Sequence, residues 1–244
     1  MTAALDTAQI VIWGIITFSI LVVLHEMGHF LAARAFGVKV HEFMVGLPGP
    51  ALRFTTKNMS WGVTAIPLGG YVRIAGMEPG VEDDLLADAL VCIRDNAPAS
   101  AAVLARELGV SPERAEALVT TLLDWKAVTE DPSGVLTLTV DGDASTLDQA
   151  ELLERARSVT YRGQSTIKRV TILAMGVLTN LALAILTFTI VLSIWGYYDL
   201  TTRIDSVGEG TPAAAADMRV GDVLIALDDQ PVDRWDTFQL LMSR

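Results

Sequence analysis

The sequence predicts an α-helical membrane protein whose two spans are separated by short β-strands and a long acidic segment. Three observations predict it. Hydrophobic residues make up 51% of the 244 residues and charged residues only 19%, with a mean hydropathy of +0.43; wholly water-soluble chains usually fall below zero. The apolar residues gather into two long runs without charge. Yet the formal net charge is −11, from 29 acids against 18 bases. Residues 78–160 hold 17 acids and 6 bases, while the remainder holds 12 of each. The whole excess therefore lies in one segment between the two apolar runs.

The first run, Ala8 to Leu24, continues through His25-Glu26-Met27-Gly28-His29 into Phe30-Leu31-Ala32-Ala33. As a helix over Ala8 to Ala35 it would be roughly 42 Å long, enough to cross a hydrocarbon core of about 30 Å. Asp6 and the lack of a base ahead of it argue against a cleaved signal peptide. Val40 to Ile74 reads as short strands. Leu52 to Thr55 and Trp61 to Ile66 flank Thr56-Lys57-Asn58-Met59-Ser60 as a hairpin, and Gly69-Gly70 lets backbone turn tightly or lie close to another backbone.

The acidic segment contains Ala101 to Leu108, a turn at Gly109-Val110-Ser111-Pro112, and Glu113 to Trp125. This is helix, turn, helix, with Ser111 as N-cap and Pro112 at the first helical position. A turn at Asp131-Pro132-Ser133-Gly134 leads into the alternating strand Val135 to Val140. The pattern over residues 98–140 resembles a winged-helix module. Four bases against seven acids over residues 94–140 would repel duplex phosphates, so no nucleic-acid partner is expected. Protein contact or a structural role is expected instead.

The second run, Val170 to Tyr198, carries no charge. Arg162, Lys168 and Arg169 precede it, and Trp195, Tyr197 and Tyr198 close it in the manner of an interfacial aromatic belt. The first run is followed by Arg34 and Lys39. Both basic flanks fall on the intervening loop, so the positive-inside rule puts residues 36–168 in the cytoplasm and the tail outside. After Thr202 the pattern is a small helix at Thr211-Pro212-Ala213, a strand toward Leu227, a turn at Asp228-Asp229, and a helix from Asp236.

Cys92 is the single cysteine, which excludes an internal disulfide and a thiolate-cluster zinc site; it reads as a small buried residue. With three histidines, a metal site needs His25, His29 or His41. His25 and His29 are four residues apart, so a helix places both imidazoles on one face, close enough to share a tetrahedral Zn²⁺. Glu26 beside them can face the open metal position and move a proton. This HExxH pattern fixes three positions; by itself it also describes two histidines and a glutamate at a helix end near a membrane surface. Its place at the close of an apolar span, where such groups are costly, favours function. His41 lies too far along the chain for that face and reads as a surface or structural residue.

The chain resembles the site-2 protease family of intramembrane zinc metalloproteases, in the bacterial form that carries a PDZ domain. His25-Glu26-Met27-Gly28-His29-Phe30 resembles the HExGH helix, and Phe43-Met44-Val45-Gly46 with Gly49-Pro50 an F-x-x-G…GP stretch. Ile66-Pro67-Leu68-Gly69-Gly70-Tyr71-Val72-Arg73 is close to an I-P-L-G-G-Y-V block, and Gly176-Val177-Leu178-Thr179-Asn180 to a GPxxN motif. Residues 204–244 resemble the start of a PDZ domain, with Asp217 and Asp229 where glycine is usual; aspartate tolerates a left-handed backbone. The resemblance implies a transmembrane core with a small β-hairpin region, a cytoplasmic winged-helix-like insert and a partial PDZ domain. It implies Zn²⁺ held by His25 and His29, Glu26 as general base, and Asn180 near substrate or oxyanion. Gly69 and Gly70 would dock an unwound segment of a membrane-spanning protein substrate. The family's third ligand, an aspartate in an L-D-G motif on a later span, has no counterpart here, so the chain is expected to be a fragment that is inactive alone. The competing expectation is a non-enzymatic membrane adaptor that recruits partners through the PDZ and winged-helix-like parts.

Overall fold

The computed structural model describes residues 2–56, 59–78, 82–96, 98–140, 143–196 and 201–243, with side chains from residue 7 onward. Lys57 and Asn58 of the expected hairpin turn, and Tyr197 and Tyr198 of the expected belt, lie outside them. The chain divides into two compact units, residues 1–185 and 186–244.

The first unit opens with helix α1, Thr2–Ala35. Its outer half packs on nothing: Ile10, Trp13 and Phe18 are 73%, 66% and 62% exposed. A buried core helix would hide these side chains, whereas a helix meant for lipid leaves them bare. Helix α6, Thr166–Trp195, behaves alike. Both are long and apolar enough to cross a membrane. Packing begins around Val22 and Val23, and toward the end of α1 Phe30, Ala32 and Ala33 join Val38, Val40, Phe43, Ile74 and Ile172 in one buried cluster.

The strands β1 (Val40–Val45), β2 (Ala51–Thr55), β3 (Ser60–Thr64) and β4 (Gly70–Ile74) form a sheet in the order β2-β3-β1-β4. The expected hairpin is β2–β3, paired antiparallel from Thr55↔Ser60 to Ala51↔Thr64. It swings back so that β3 runs parallel to β1, and β4 returns antiparallel on the other side of β1. Strand β4 is thus an edge. Phe30, Phe43 and Trp61 pack edge-on and tilted with centroids 5.1–5.7 Å apart, and this aromatic contact fixes α1 on the sheet.

The acidic segment has its own core. Helices α2 (Leu86–Asp95), α3 (Ala101–Leu108), α4 (Pro112–Asp124) and α5 (Gln149–Ser158) and the hairpin β5 (Val128–Glu130) and β6 (Leu136–Leu138) enclose it. Leu90, Leu104, Leu118, Leu122, Trp125 and Leu152 are almost wholly buried there, each such leucine contributing about 2 kcal/mol. Ser100 and Ser111 cap α3 and α4, and Gly109 ends α3 in the left-handed region at φ 64°. Strand β6 starts one residue later than expected because Asp131 Oδ1 accepts from the Ser133 and Val135 amides and holds Val135 in the turn, and it stops at Leu138. Cys92 is buried as expected, and burial pushes its thiol up.

The segment is bolted to the sheet around His41. His41 Nε2 donates to the Asp124 carbonyl at 2.7 Å, Lys126 Nζ to the Val40 carbonyl at 2.9 Å, and the Gly76 amide to Asp124 Oδ2 at 2.9 Å. His41 is therefore structural. Asp124 is half-buried, which pushes its carboxyl up, but the neighbouring His41 ring and the Gly76 amide outweigh this and hold it below the usual range.

In the second unit α7 (Pro212–Ala215) is capped by Thr211, β7 (Ala226–Leu227) pairs with β8 (Gln230–Pro231), and α8 spans Trp235–Met242. Asp217 and Asp229 sit at φ 55° and 63°, the left-handed conformation expected of them, and Asp228 at 49°.

Candidate metal centre

Helix α1 carries His25, Glu26 and His29 where it meets α6, and their ligand-capable atoms all lie within 4.8 Å of one another. The i, i+4 spacing turns both rings to the same face. They stand edge-on, centroids 4.8 Å apart at 81°, with the two Nε2 atoms 3.2 Å from each other. Two imidazole nitrogens on one tetrahedral zinc, each at about 2.05 Å, would stand about 3.3 Å apart. The observed separation fits that pair of ligands.

The other ring nitrogens are occupied from α6. His29 Nδ1 lies 2.7 Å from the Ile172 carbonyl. A carbonyl only accepts, so Nδ1 carries the proton and Nε2 keeps its lone pair facing His25. His25 Nδ1 faces the Asn180 carboxamide, 3.5 Å from Nδ2, while Asn180 Oδ1 is buried among the described residues without a hydrogen-bond partner. A half-turn of that carboxamide exchanges the two atoms. Oδ1 would then accept from His25 Nδ1–H, and His25 would share the tautomer of His29 with Nε2 unprotonated.

Close approach of the two helices rests on glycine. A Cβ on Gly28 would fall 2.5 Å from the Met175 carbonyl oxygen. A Cβ on Gly176 would fall 2.6 Å from His25 Nε2 and closer still to His29 Nε2. Gly176 therefore leaves open the space directly beside both Nε2 atoms, where an ion and further ligands could be accommodated. Gly176 and Asn180, four apart on α6, face the histidines together.

Gly69 and Gly70 lie elsewhere along α1. Gly69 adopts φ 73°, and a Cβ there would meet Val22 Cγ1 at 3.2 Å; one on Gly70 would meet the Met44 carbonyl oxygen at 2.9 Å and Val23 Cγ2 at 3.3 Å. The pair lets the start of the edge strand β4 lie against α1 one turn before His25. The Ile172 carbonyl, a backbone group, is the site member that sequence reasoning missed; no side-chain pattern announces it. Among the described residues His25, Glu26 and His29 form the one group of three metal-capable side chains.

Comparison with known proteins shows the family. The sequence profile of Peptidase family M50 matches residues 13–237. The chain is 27% identical over 231 residues to zinc metalloprotease RasP of Oceanobacillus iheyensis, covering 92% of this chain and 54% of that protein. It is 27% identical over 222 residues to metalloprotease MmpA of Caulobacter vibrioides, covering 91% of this chain and 43% of that one. A shorter match to putative zinc metalloprotease FN1322 of Fusobacterium nucleatum reaches 40% identity over 69 residues, 28% of this chain and 20% of that protein. The chain spans about half the length of the first two relatives. The profile runs through both apolar helices, the histidine pair and the sheet, and the chain belongs to peptidase family M50, the site-2 protease family.

Proposed function

We propose that this chain supplies the histidine half of a zinc-dependent intramembrane endopeptidase that cuts membrane-spanning segments of single-span proteins. The observation that carries the reading is the facing pair of His25 and His29 Nε2 atoms, 3.2 Å apart beside the missing side chain of Gly176. His25 and His29 would hold the metal. Zinc there would supply Lewis acidity, activating water and polarising the scissile carbonyl.

The chain's own residues account for the rest. Glu26, beside the pair, takes a proton from the attacking water and returns it to the leaving amine. The Ile172 carbonyl and the Asn180 carboxamide hold the two rings. With Oδ1 turned to His25, the Asn180 NH₂ is left to donate to a substrate carbonyl or oxyanion. A spanning helix satisfies its own amides, so it must unwind before a peptide bond can be attacked. The edge of β4, beginning at Gly69-Gly70 beside α1, offers an unwound segment backbone pairing. Two imidazoles fall short of the three protein ligands usual for catalytic zinc. The reading therefore calls for a further ligand beyond this pair, and the relatives are about twice as long as this chain.

In this reading residues 36–168 lie in the cytoplasm of a plasma-membrane protein and the PDZ-like tail outside. Residues 98–140 serve as a winged-helix-like module that contacts a protein partner. The test is Glu26→Gln in the complete gene product. Cleavage of a membrane-tethered reporter should fall by at least a hundredfold while bound zinc is retained. Undiminished cleavage would refute the assignment.

A further inference from the structure

Strand β1 carries one residue more than β4 has places for. Val40 pairs with Ile74 and Glu42 with Arg73, so His41 is the extra residue of a β-bulge. A bulge interrupts pairing and re-aims a side chain. Here the His41 ring meets the end of α4, where Nε2 donates to the Asp124 carbonyl at 2.7 Å and lies 3.3 Å from Asp124 Oδ1.

Asp124 holds the neighbouring strand as well. Its Oδ2 accepts from the Gly76 amide at 2.9 Å, two residues past the end of β4. Gly76 has φ 70°, and a Cβ there would fall 2.6 Å from Thr160 Cβ. Ala75, between Gly76 and the strand, donates to the Lys39 carbonyl at 3.0 Å and accepts from the Tyr161 amide at 2.8 Å. Nothing in α4 itself favours an aspartate at this position. Asp124 is the last residue of the helix, where the dipole is negative and a carboxylate is disfavoured. Its side chain is also half-buried, which costs a charged group unless partners compensate. The compensating partners, the Gly76 amide and the His41 ring, both belong to the sheet and not to the segment.

We propose that Asp124 is a positioning residue for substrate docking, through which the acidic segment governs the cleavage site. The proposal rests on the protease reading, in which the edge of β4 receives the unwound substrate. Two pairings are open to strands joined by a bulge. Either the extra residue stays out of the ladder, as His41 does, or it enters and the partner slips by one place. A one-residue slip moves a strand by about 3.4 Å and exchanges its two faces. It would carry Gly69 and Gly70 away from Val22 and Val23 of α1. Asp124 opposes the slip because it holds the bulged residue and the end of β4 at once.

The test has two arms. In the first, hydrogen exchange is followed at residues 70–74 of the full chain in maltoside micelles. Asp124→Ala should speed it at least tenfold, while the Leu118 and Leu122 amides report that the segment stays folded. His41→Ala, which leaves the core of the segment untouched, should do the same, and the double variant should add little to either. Asp83→Asn is the control. It breaks the pairing with Arg114 inside the segment and should leave exchange at β4 within twofold of wild type. In the second arm the complete gene product cleaves a membrane-tethered reporter. Asp124→Ala should raise KM at least fivefold with kcat and bound zinc within twofold. Asp124→Asn, which keeps an oxygen for the Gly76 amide, should lie between Asp124→Ala and wild type, and Asp83→Asn should match wild type. The proposal is overturned if exchange at β4 is unchanged in Asp124→Ala, if Asp83→Asn speeds it equally, or if KM stays at its wild-type value while exchange rises. A wild type that cleaves nothing would instead overturn the protease reading, and the exchange arm would still decide whether Asp124 holds β4.

Discussion

His29 donates its Nδ1 proton to the backbone carbonyl of Ile172 at 2.7 Å, tying one ring of the proposed metal pair on one apolar helix to the main chain of the other. A backbone acceptor is lost only if the helices shift. Their approach is set by Gly28, where a Cβ would lie 2.5 Å from the Met175 carbonyl oxygen. Gly28→Val should therefore part α1 from α6 and break the His29 contact. Bound zinc, measured by mass spectrometry after purification, should fall at least tenfold at unchanged helical circular dichroism. Full zinc occupancy would show that the contact does not depend on this packing.

The Gly176→Ala variant probes the same seam from the other side. Its Cβ would lie 2.6 Å from His25 Nε2, a distance real Cβ atoms do not show. Rings and ion cannot both remain. Metal should be lost while the helix gains propensity, alanine being favoured over glycine by about 1 kcal/mol. Gly14→Ala is the matched control, because a Cβ there meets nothing within 4 Å. It should retain metal.

Asn180 is expected to act through its oxygen. Asn180→Ala leaves His25 Nδ1 without an acceptor and should weaken zinc binding about 10–100-fold, as loss of groups behind metal ligands does. Asn180→Asp keeps an oxygen at that position and should restore most of the affinity. Chelator competition reads both. Equal weakening by the two variants would assign Asn180 to packing.

Much of this arrangement is legible in the sequence, for identifiable reasons. The runs that became α1 and α6 contain no charge over a length that lipid alone explains, and the spacing of His25 and His29 needs nothing but helical geometry. The turn residues Ser111, Pro112 and Gly109 mark α3 and α4 because their effect is local. What escapes is non-local. Nothing in Val40 to Val45 announces that it pairs parallel with Ser60 to Thr64 while Gly70 to Ile74 closes the other side. Helix α5 is hard to see because only Leu152 and Ala156 of Gln149–Ser158 are buried.

The docking of the acidic segment should respond to acid in a definite direction. Burial pushes the Asp124 carboxyl up, yet the His41 ring and the Gly76 amide hold it below its ordinary value. A depressed folded pKa means that folding favours the carboxylate. Its contribution is complete above the unfolded value of about 3.9 and is lost as pH falls through the lower folded value. Asp83, held down by the Arg114 guanidinium, adds a term of the same sign. The Asp124→Asn variant separates the two. At pH 7 it should cost about 1.5 kcal/mol, the scale of a hydrogen bond to a charged group. As pH is lowered below 4 by roughly two units, wild type should lose stability toward the variant and the gap should close. Thermal unfolding of the full chain in micelles, with exchange at the Gly76 amide as the local readout, measures the gap. If the gap is the same at both ends of the range, Asp124 does not hold the segment through its charge.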